Sequence, residues 1–438
     1  MDIGTISLVI VAAMIGLLML GVPLAFVSGA IAVVLAYTHF GLGGLFLVGS
    51  RTAEFVGSFA LVAVPMFVLM ASIMERSGVA RDLYRAFHIW AGRMPGGIAV
   101  ITIFVAVILG ATTGIIGGEI VLLGLIALPQ MLKLGYDKKL AIGTITAGGS
   151  LGTMIPPSII LIFYGITAQV SISHLFLATV VPGLLLAGLY IGYILVRCGL
   201  NPALGPPLGE AERDIPLAEK LALLKNVALP LAVAAAVLIS IYAGFASITE
   251  SAAVGVAGTI FAAWVRGELT LEMISGALIQ ALKTCGMVFW LVFGTNALIG
   301  VYNLLGGIAF AKGLLSGISS EPAVVLAIMI AVFILLGFFI DWIGILFLTM
   351  PIFLPTLQLL GYDPIWFGIV FNLSMQIAYL TPPFGPACFY LKGAAPPEVS
   401  LQDIFAAQWP FIALQCLGLL LVVLFPGLSL WLPNLVYG

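Results

Sequence analysis

The sequence predicts an all-α protein that crosses a membrane several times, and three observations lead to this fold class. Hydrophobic residues make up 62% of the 438 residues and charged residues only 8%, whereas a soluble domain carries roughly 25% charged residues. Between Leu140 and Val196 the only charged or histidine side chain is His174. Since a span needs about 20 mostly apolar residues, this stretch has room for two. The third observation is an internal repeat.

Seven residues of the first half recur at one constant spacing in the second half. The matched motifs, 226 positions apart, are Leu128-Pro129 with Leu354-Pro355, Gly135-Tyr136-Asp137 with Gly361-Tyr362-Asp363, and Pro156-Pro157 with Pro382-Pro383. A set of this size in one register is not expected by chance. We therefore predict two repeats, at 1–197 and 227–438, joined by a polar linker at 198–226 that contains four prolines.

Each repeat is predicted to contain the same elements in the same order. Two short spans lead into a longer span, a short amphipathic helix, a re-entrant hairpin of two half-length helices, a broken helix and a closing span. The predicted ranges are 5–20, 22–38, 52–75, 78–93, 97–130 and 138–168 in the first repeat, and 227–246, 248–265, 276–303, 306–318, 322–360 and 364–393 in the second.

The distribution of basic residues predicts how the repeats are oriented. If 76–93 is cytoplasmic, this layout places 14 of the 16 lysines and arginines inside and only Arg51 and Lys312 outside, in agreement with the positive-inside rule. The linker at 198–226 is then cytoplasmic, and the two repeats are inverted relative to each other. Inverted repeats with broken helices around a central site are typical of secondary transporters.

The proline pairs predict breaks within membrane-spanning helices. Pro156-Pro157 removes two backbone donors and disfavours helix just before it, so carbonyl groups near 150–155 lose their helical partners. Those groups need substitutes in lipid, and a bound cation is one. Carbonyl and hydroxyl oxygens suit Na⁺. The alternative is a kinked helix whose carbonyls bond to water and neighbours. A matched pair of breaks, each preceded by a hairpin, favours an ion site.

The hairpin tips are the second candidate for chemistry. Residues 112–119 can direct a helix N-terminus and free amide groups at an anion. Asp341 lies among apolar residues of the second hairpin, where a carboxylate indicates function; it could bind Na⁺, contact substrate or only cap a helix. Glu119 is expected to cap the returning helix and Glu250 to lie at a wet helix junction. No lysine or arginine is placed at the midplane, so an anionic substrate would be held by helix ends, hydroxyls and sodium charge.

Other functions are disfavoured. A net charge of −2 argues against nucleic acid, and four scattered cysteines indicate neither a disulfide framework nor a metal site other than sodium. Residues 148–152 fit the G-x-S-x-G pattern of hydrolases, but Ser150 lies in an apolar span without a histidine nearby, so we predict no catalytic residue and no enzyme. The alternatives that stay open are a stand-alone dicarboxylate/sodium symporter of related architecture and, less favoured, a channel or an intramembrane hydrolase. The first apolar run lacks the basic region of a cleavable signal peptide.

With these motifs in view, the chain resembles the large membrane subunit of tripartite ATP-independent periplasmic (TRAP) transporters over essentially its whole length. The segments that carry the resemblance are 128–137, 148–158 and 380–385. The family implies a multi-pass protein of the bacterial inner membrane that takes up an organic acid, such as a C4-dicarboxylate, sialic acid or keto acid, with Na⁺ as coupling ion and no cofactor. It implies an elevator mechanism, in which a transport domain moves against a scaffold. Its partners would be a small four-helix membrane subunit, here a separate chain, and a periplasmic substrate-binding protein.

The resemblance also implies site residues, carried over by motif. The first sodium site would use Thr112, Ser150, Gly152 and Pro156, and the second would use Gly337, Asp341, Thr381 and Gly385. Substrate contacts are expected from Thr113, Gly114, Thr153, Ser158, Asn372 and Pro383.

Overall fold

The computed structural model describes residues 2–92, 94–208, 217–318 and 321–438, and these ranges contain helices and no strand. The helices are α1 (Ile3–Met19), α2 (Leu24–Val56), α3 (Ala63–Arg76), α4 (Val79–His88), α5 (Gly97–Thr113), α6 (Gly118–Lys133), α7 (Lys138–Ser150), α8 (Ile159–Ala168), α9 (Ile172–Leu200), α10 (Leu217–Tyr242), α11 (Ile248–Val265), α12 (Leu271–Leu304), α13 (Gly307–Ile318), α14 (Pro322–Gly337), α15 (Trp342–Leu359), α16 (Pro364–Leu380), α17 (Pro386–Ala394), α18 (Leu401–Leu424) and α19 (Gly427–Tyr437). Short 3₁₀ turns lie at Phe59–Val62, Leu151–Thr153 and Pro202–Leu204.

Seven of the helices in the described ranges are long and apolar enough to cross a bilayer. They are α2 as far as Phe46, α3 with the turn before it, α9, α11, α12, α15 and α18. The shorter apolar helices have 10–17 residues over the part in which this was assessed, which is at most the lower limit of a single span. The prediction of an all-α, multi-pass membrane protein is confirmed.

The helices of the second half follow the order of those in the first. Helices α1–α9 and α10–α18 each comprise two leading helices, a third that reaches a short amphipathic helix, a pair joined by a tight turn, a pair separated by a proline break, and a long closing helix. Helix α19 is additional and packs on α9.

Two stretches differ from the predicted ranges. Helix α2 continues through the predicted gap at 39–51 and is interrupted only at Gly41, whose φ of 60° and ψ of −147° are not helical. In the predicted linker, α9 extends to Leu200 and α10 starts at Leu217, while residues 209–216 lie outside the described part of the chain. The linker residues that are described fold back on the first repeat, since the Gly96 N–H donates to the Gly205 carbonyl at 2.8 Å.

The helices form two packing groups. The first consists of α1–α3 and α10–α12, in which α2 and α3 pack along α12. The second consists of α5–α9 and α14–α19, in which α7 packs on α5, α6 and α18 and α16 packs on α14, α9 and α18. Contacts of α3 with α5 and of α12 with α15 join the groups, and α4 packs on both α10 and α5.

The two broken helices, α7–α8 and α16–α17, run antiparallel. Lys138 at the start of α7 donates to the Glu398 carbonyl, just after the end of α17, at 2.8 Å. At the opposite end, the Tyr164 hydroxyl of α8 donates to the Pro364 carbonyl at the start of α16 at 2.6 Å. Each end of one broken helix therefore lies beside the opposite end of the other.

Candidate functional site

The tip of the first hairpin, formed by α5 and α6, lies directly on the break of the first broken helix. A Cβ added at Gly110 would lie 2.7 Å from the Cα of Gly152, and one added at Gly114 would lie 2.2 Å from the Pro157 carbonyl oxygen. The Ile159 N–H donates to the Gly114 carbonyl at 3.2 Å. Gly114 also has a φ of 66°, which ends α5 and turns the chain back. The backbones touch here because glycine occupies these positions.

The second hairpin, formed by α14 and α15, approaches the second broken helix in the same manner. A Cβ added at Gly337 would lie 2.4 Å from the Cβ of Ala378 in α16. Asp341 is the N-cap residue of α15 and lines a cleft with Gly337, Tyr379 and Phe384. The second hairpin tip and the second break therefore also meet.

The breaks have similar backbones and different surroundings. Helix α7 ends at Ser150, a 3₁₀ turn follows, and α8 starts at Ile159; the peptide bonds Pro156-Pro157 and Pro382-Pro383 are both cis. Residues 140–165 are buried without exception, whereas Pro383 and Phe384 of the second break are exposed. The first break is thus enclosed by protein, and the second reaches the molecular surface.

Polar side chains join the two broken helices between the breaks. Asn372 Nδ2 donates to the Thr153 carbonyl at 2.9 Å, and Gln376 Nε2 donates to Thr153 Oγ1 at 2.5 Å. Ser158 Oγ donates to the same carbonyl at 2.6 Å. The side-chain carbonyl oxygens of Asn372 and Gln376 are buried and have no hydrogen-bond partner among the described residues. This cluster therefore holds two buried acceptor oxygens that a cation or a donor group would satisfy.

The residues predicted for the first sodium site lie at the first tip and break. Thr112 Oγ1 donates to the Leu109 carbonyl at 2.7 Å, and Ser150 Oγ donates to the Ala147 carbonyl at 2.9 Å. Each hydroxyl uses its proton within its own helix, so its lone pairs remain for a cation. Gly152 contacts the hairpin backbone, and Pro156 opens the cis pair within the break.

The residues predicted for the second sodium site are only partly brought together. Gly337 and Asp341 line the cleft described above, but Thr381 and Gly385 lie beside it and do not line it. Thr381 Oγ1 donates to the Ile377 carbonyl at 2.6 Å, and a Cβ added at Gly385 would lie 3.2 Å from the Thr381 carbonyl oxygen. The assignment of this site stays a prediction.

Of the six residues predicted to contact substrate, four form one connected cluster. Thr153, Ser158 and Asn372 are joined by the hydrogen bonds above, and Gly114 lies against Pro157 and Ser158. Two residues lie apart from them. Thr113 faces Glu119 rather than the cluster, at 3.5 Å between Oγ1 and Oε2, and Pro383 lies on the exposed side of the second break.

Three buried polar residues of this region were not among the predicted site residues. Gln376 and Tyr379 lie in α16 and are buried; at the repeat spacing they correspond to Ser150 and Thr153. Glu119 is 2% exposed. The signal that could have found Gln376 is its place in an apolar helix with Asn372 and Ser374 at alternate positions, because amides at that depth require partners.

The geometry around Ser150 does not support a hydrolase. Its hydroxyl is fully buried and donates to the Ala147 carbonyl. No hydrogen bond to a histidine or carboxylate is found for Ser150 in the described part of the chain. A nucleophilic serine needs a base within hydrogen-bond reach.

We expect Thr153→Val to lower the thermal stability of the purified protein. Valine has nearly the same shape but cannot accept from Gln376, and leaving one buried donor unpaired costs about 1–3 kcal/mol. The measurement is thermal unfolding in detergent, with Thr349→Val as control, because the hydroxyl of Thr349 is also buried but donates only within its own helix. Equal losses of stability in the two variants would contradict a special role for the contact between the two broken helices.

Comparison with known families identifies relatives along nearly the whole chain. The sequence profile of the family described as "Tripartite ATP-independent periplasmic transporter, DctM component" matches residues 11–428. The C4-dicarboxylate TRAP transporter large permease protein DctM of Vibrio cholerae is 27% identical, over 97% of this chain and 96% of that protein. The ectoine TRAP transporter large permease protein TeaC of Halomonas elongata is 29% identical, over 98% of this chain and 99% of that protein.

Two further comparisons concern a longer relative and a solved structure. The sialic acid TRAP transporter permease protein SiaT of Haemophilus influenzae is 27% identical over 86% of this chain, which spans only 60% of SiaT. The crystal structure of the Alcanivorax borkumensis YdaH transporter has a TM-score of 0.63 at 15% identity and covers 94% of this chain and 98% of its own. At that identity the similarity concerns the fold alone.

The family is one of transporter permeases, and its members, together with the seven long apolar helices, confirm a multi-pass protein of the bacterial inner membrane. The resemblance of residues 128–137, 148–158 and 380–385 is therefore confirmed over nearly the full length. The chain belongs to the DctM component family of tripartite ATP-independent periplasmic transporters.

Proposed function

We propose that this chain takes up a carboxylate-bearing solute by secondary active transport, with Na⁺ as the coupling ion. The observation that supports this most is the meeting of each hairpin tip with the break of its own broken helix, around the polar cluster of Thr153, Asn372 and Gln376. Oxygen atoms from hydroxyls, amides and opened backbone provide the ligands that Na⁺ prefers. The relatives named above for C4-dicarboxylate and sialic acid make a carboxylate the favoured solute class.

The recognition of an anion would follow from the same geometry. The cluster around Thr153 contains hydroxyls, amides and glycine backbone, and none of its described residues is basic. A carboxylate would then be held by hydroxyl and amide donors, by the N-termini of the hairpin helices and by the charge of bound sodium.

The two packing groups support an elevator mechanism. Both hairpins and both broken helices belong to the second group, while α1–α3 and α10–α12 form the first. A site built within one group can move as a unit against the other. The antiparallel course of the broken helices supports inverted repeats. In such an arrangement one break is exposed while the other is enclosed, and transport exchanges these two states.

The partners are proposed from the family. A periplasmic binding protein would deliver the solute, and a small membrane subunit would complete the permease. The alternative, a stand-alone carrier, needs neither the binding protein nor the small membrane subunit.

We expect uptake by proteoliposomes that contain the chain, its small subunit and its binding protein to require an inward sodium gradient. The measurement is accumulation of radiolabelled solute with NaCl or choline chloride outside, with and without the binding protein. Accumulation should fall to the level of empty liposomes in choline and without the binding protein. Unchanged uptake in choline would refute sodium coupling, and unchanged uptake without the binding protein would favour the stand-alone carrier.

A further inference from the structure

Tyr379 is a buried tyrosine that is not among the residues of either predicted sodium site. It lies in α16, on the helix face that also carries Asn372 and Gln376, and it is 2% exposed. Its hydroxyl has no hydrogen-bond partner among the described residues. A buried hydroxyl without a partner destabilises the fold. Its presence at this position therefore points to a role within the site.

Groups from both halves of the site lie near the Tyr379 hydroxyl. Thr153 of the first break lies beside it, and the Asp341 carboxylate of the second hairpin interacts with it electrostatically. Tyr379 and Asp341 also line the same cleft. The Thr153 hydroxyl is already engaged, since it donates to the Ser150 carbonyl at 3.1 Å and accepts from Gln376. The proton of the Tyr379 hydroxyl is therefore available to the carboxylate.

The Asp341 carboxylate is not oriented by its own helix. Asp341 occupies the N-cap position of α15, but its side chain makes no capping hydrogen bond. A carboxylate that binds a metal ion is usually held by a further hydrogen bond, which fixes the direction of its remaining lone pairs. Tyr379 offers a buried hydroxyl for this purpose. Tyr390 also interacts with Asp341, but it is 41% exposed, so water competes for its hydroxyl.

Tyr379 and Thr153 are equivalent positions of the two predicted repeats, separated by 226 residues. Equivalent residues of two halves related by a twofold axis lie next to each other only close to that axis. Ion and solute sites of transporters built from repeats lie at the interface between the repeats. Because Tyr379 lies beside Thr153, it occupies a position from which a side chain of one repeat contacts the break of the other.

We propose that Tyr379 is a positioning residue for the second predicted sodium site, whose hydroxyl donates to Asp341 and directs the carboxylate at the ion. This role rests on the proposed sodium coupling, with Asp341 as a ligand. Contact with Thr153 holds the phenol end of the side chain against the first break. The orientation of Asp341 then depends on the polar cluster between the broken helices, although the predicted ligands of the second site all belong to the second repeat.

The test is thermal unfolding of the full-length protein in detergent, with Na⁺ alone as the probe, as NaCl replaces choline chloride at constant ionic strength. We expect Tyr379→Phe to raise the Na⁺ concentration at half effect by about tenfold or more, because it removes the hydrogen bond that holds a metal ligand. Tyr84→Phe is the matched control, since the Tyr84 hydroxyl is also buried without a partner among the described residues but lies in α4. In choline both variants should melt at or above the wild-type temperature, because each removes an unpaired buried hydroxyl.

A double-mutant cycle shows whether Tyr379 acts through Asp341. In an Asp341→Asn background, Tyr379→Phe should change the half-effect concentration by less than about threefold, because the hydrogen bond to a charged oxygen is already lost. An effect as large as in the wild-type background would overturn the proposal, since Tyr379 would then act independently of the carboxylate.

The outcomes separate this role from the proposed function. Equal half-effect concentrations in Tyr379→Phe and Tyr84→Phe would overturn the positioning role and leave sodium coupling intact. A lower melting temperature in choline as the only change in Tyr379→Phe would also overturn it, because that result marks a purely structural hydroxyl. If Asp341→Asn abolishes the response to Na⁺, the comparison of Tyr379→Phe with Tyr84→Phe decides alone. A wild type that does not respond to Na⁺ would overturn sodium coupling and this role together.

Discussion

Asp341→Asn is expected to raise the Na⁺ concentration that half-saturates uptake by at least tenfold, equivalent to about 1.4 kcal/mol of binding free energy. The substitution keeps the size of the side chain, and Asp341 occupies the N-cap position of α15 without a side-chain capping hydrogen bond, so asparagine should leave the start of α15 unchanged. What it removes is the negative charge facing the cleft between the second hairpin and α16. A full charge attracts a cation far more strongly at this depth than an amide dipole does.

The measurement is the initial rate of solute uptake as a function of external Na⁺, normalised to folded protein in the liposomes. Asp363→Asn is the matched control, because Asp363 is likewise the N-cap residue of a helix, is exposed, and uses its carboxylate to accept from the Ile365 N–H at 2.7 Å. The control should retain the wild-type sodium dependence. If Asp341→Asn behaved like the control, Asp341 would be a helix cap and nothing more.

The order of the elements could be predicted because glycine and proline act through the local backbone. Pro156-Pro157 and Pro382-Pro383 interrupt helices wherever they occur, and the constant spacing between them identifies the repeat without any knowledge of packing. The hairpins follow from the lengths of the apolar runs on either side of Gly114 and Asp341. Predicting these features requires only the identities of residues that are neighbours in the sequence.

The course of α2 could not be predicted in the same way. The gap between the predicted spans 22–38 and 52–75 contains Gly41, Gly43 and Gly44, yet the helix resumes directly after Gly41. A Cβ added at Gly44 would lie 2.4 Å from the Ala36 carbonyl oxygen, so the chain makes a sharp local turn that only a glycine at 44 admits. A cluster of glycines indicates a break, but not how short the break is.

The contacts that build the candidate site could also not be predicted from the sequence. Asn372 and Gln376 meet Thr153 across 219 and 223 positions of the chain, and their register depends on how two long helices pack side by side. The repeat spacing makes Gln376 equivalent to Ser150 and Tyr379 equivalent to Thr153, but it does not say that Gln376 donates to Thr153. Likewise, a Cβ added at Gly118 would lie 1.6 Å from Oε1 of Glu75, and this closeness depends on the packing of α3 against α5.

Gly110→Ala is expected to abolish sodium-driven uptake and to lower the melting temperature. The new Cβ would meet the Cα of Gly152 at 2.7 Å, its backbone nitrogen at 3.3 Å and the Leu151 carbonyl oxygen at 3.6 Å. All three atoms belong to the backbone, so no side-chain rotation relieves the overlap. The hairpin tip must move away from the break, at an overpacking cost of about 1–3 kcal/mol. The first sodium site predicted between Thr112 and the 150–156 segment would then be disrupted.

Gly188→Ala provides the control for Gly110→Ala. Gly188 is an exposed helical glycine of α9, and nothing lies within 4 Å of a Cβ added there. Alanine improves helix propensity by about 1 kcal/mol relative to glycine, so the control should transport normally and melt at the same or a higher temperature. Uptake per folded molecule and thermal unfolding, measured on both variants, separate loss of transport from loss of protein. Normal uptake by Gly110→Ala would mean that the close contact of hairpin and break is not needed for transport.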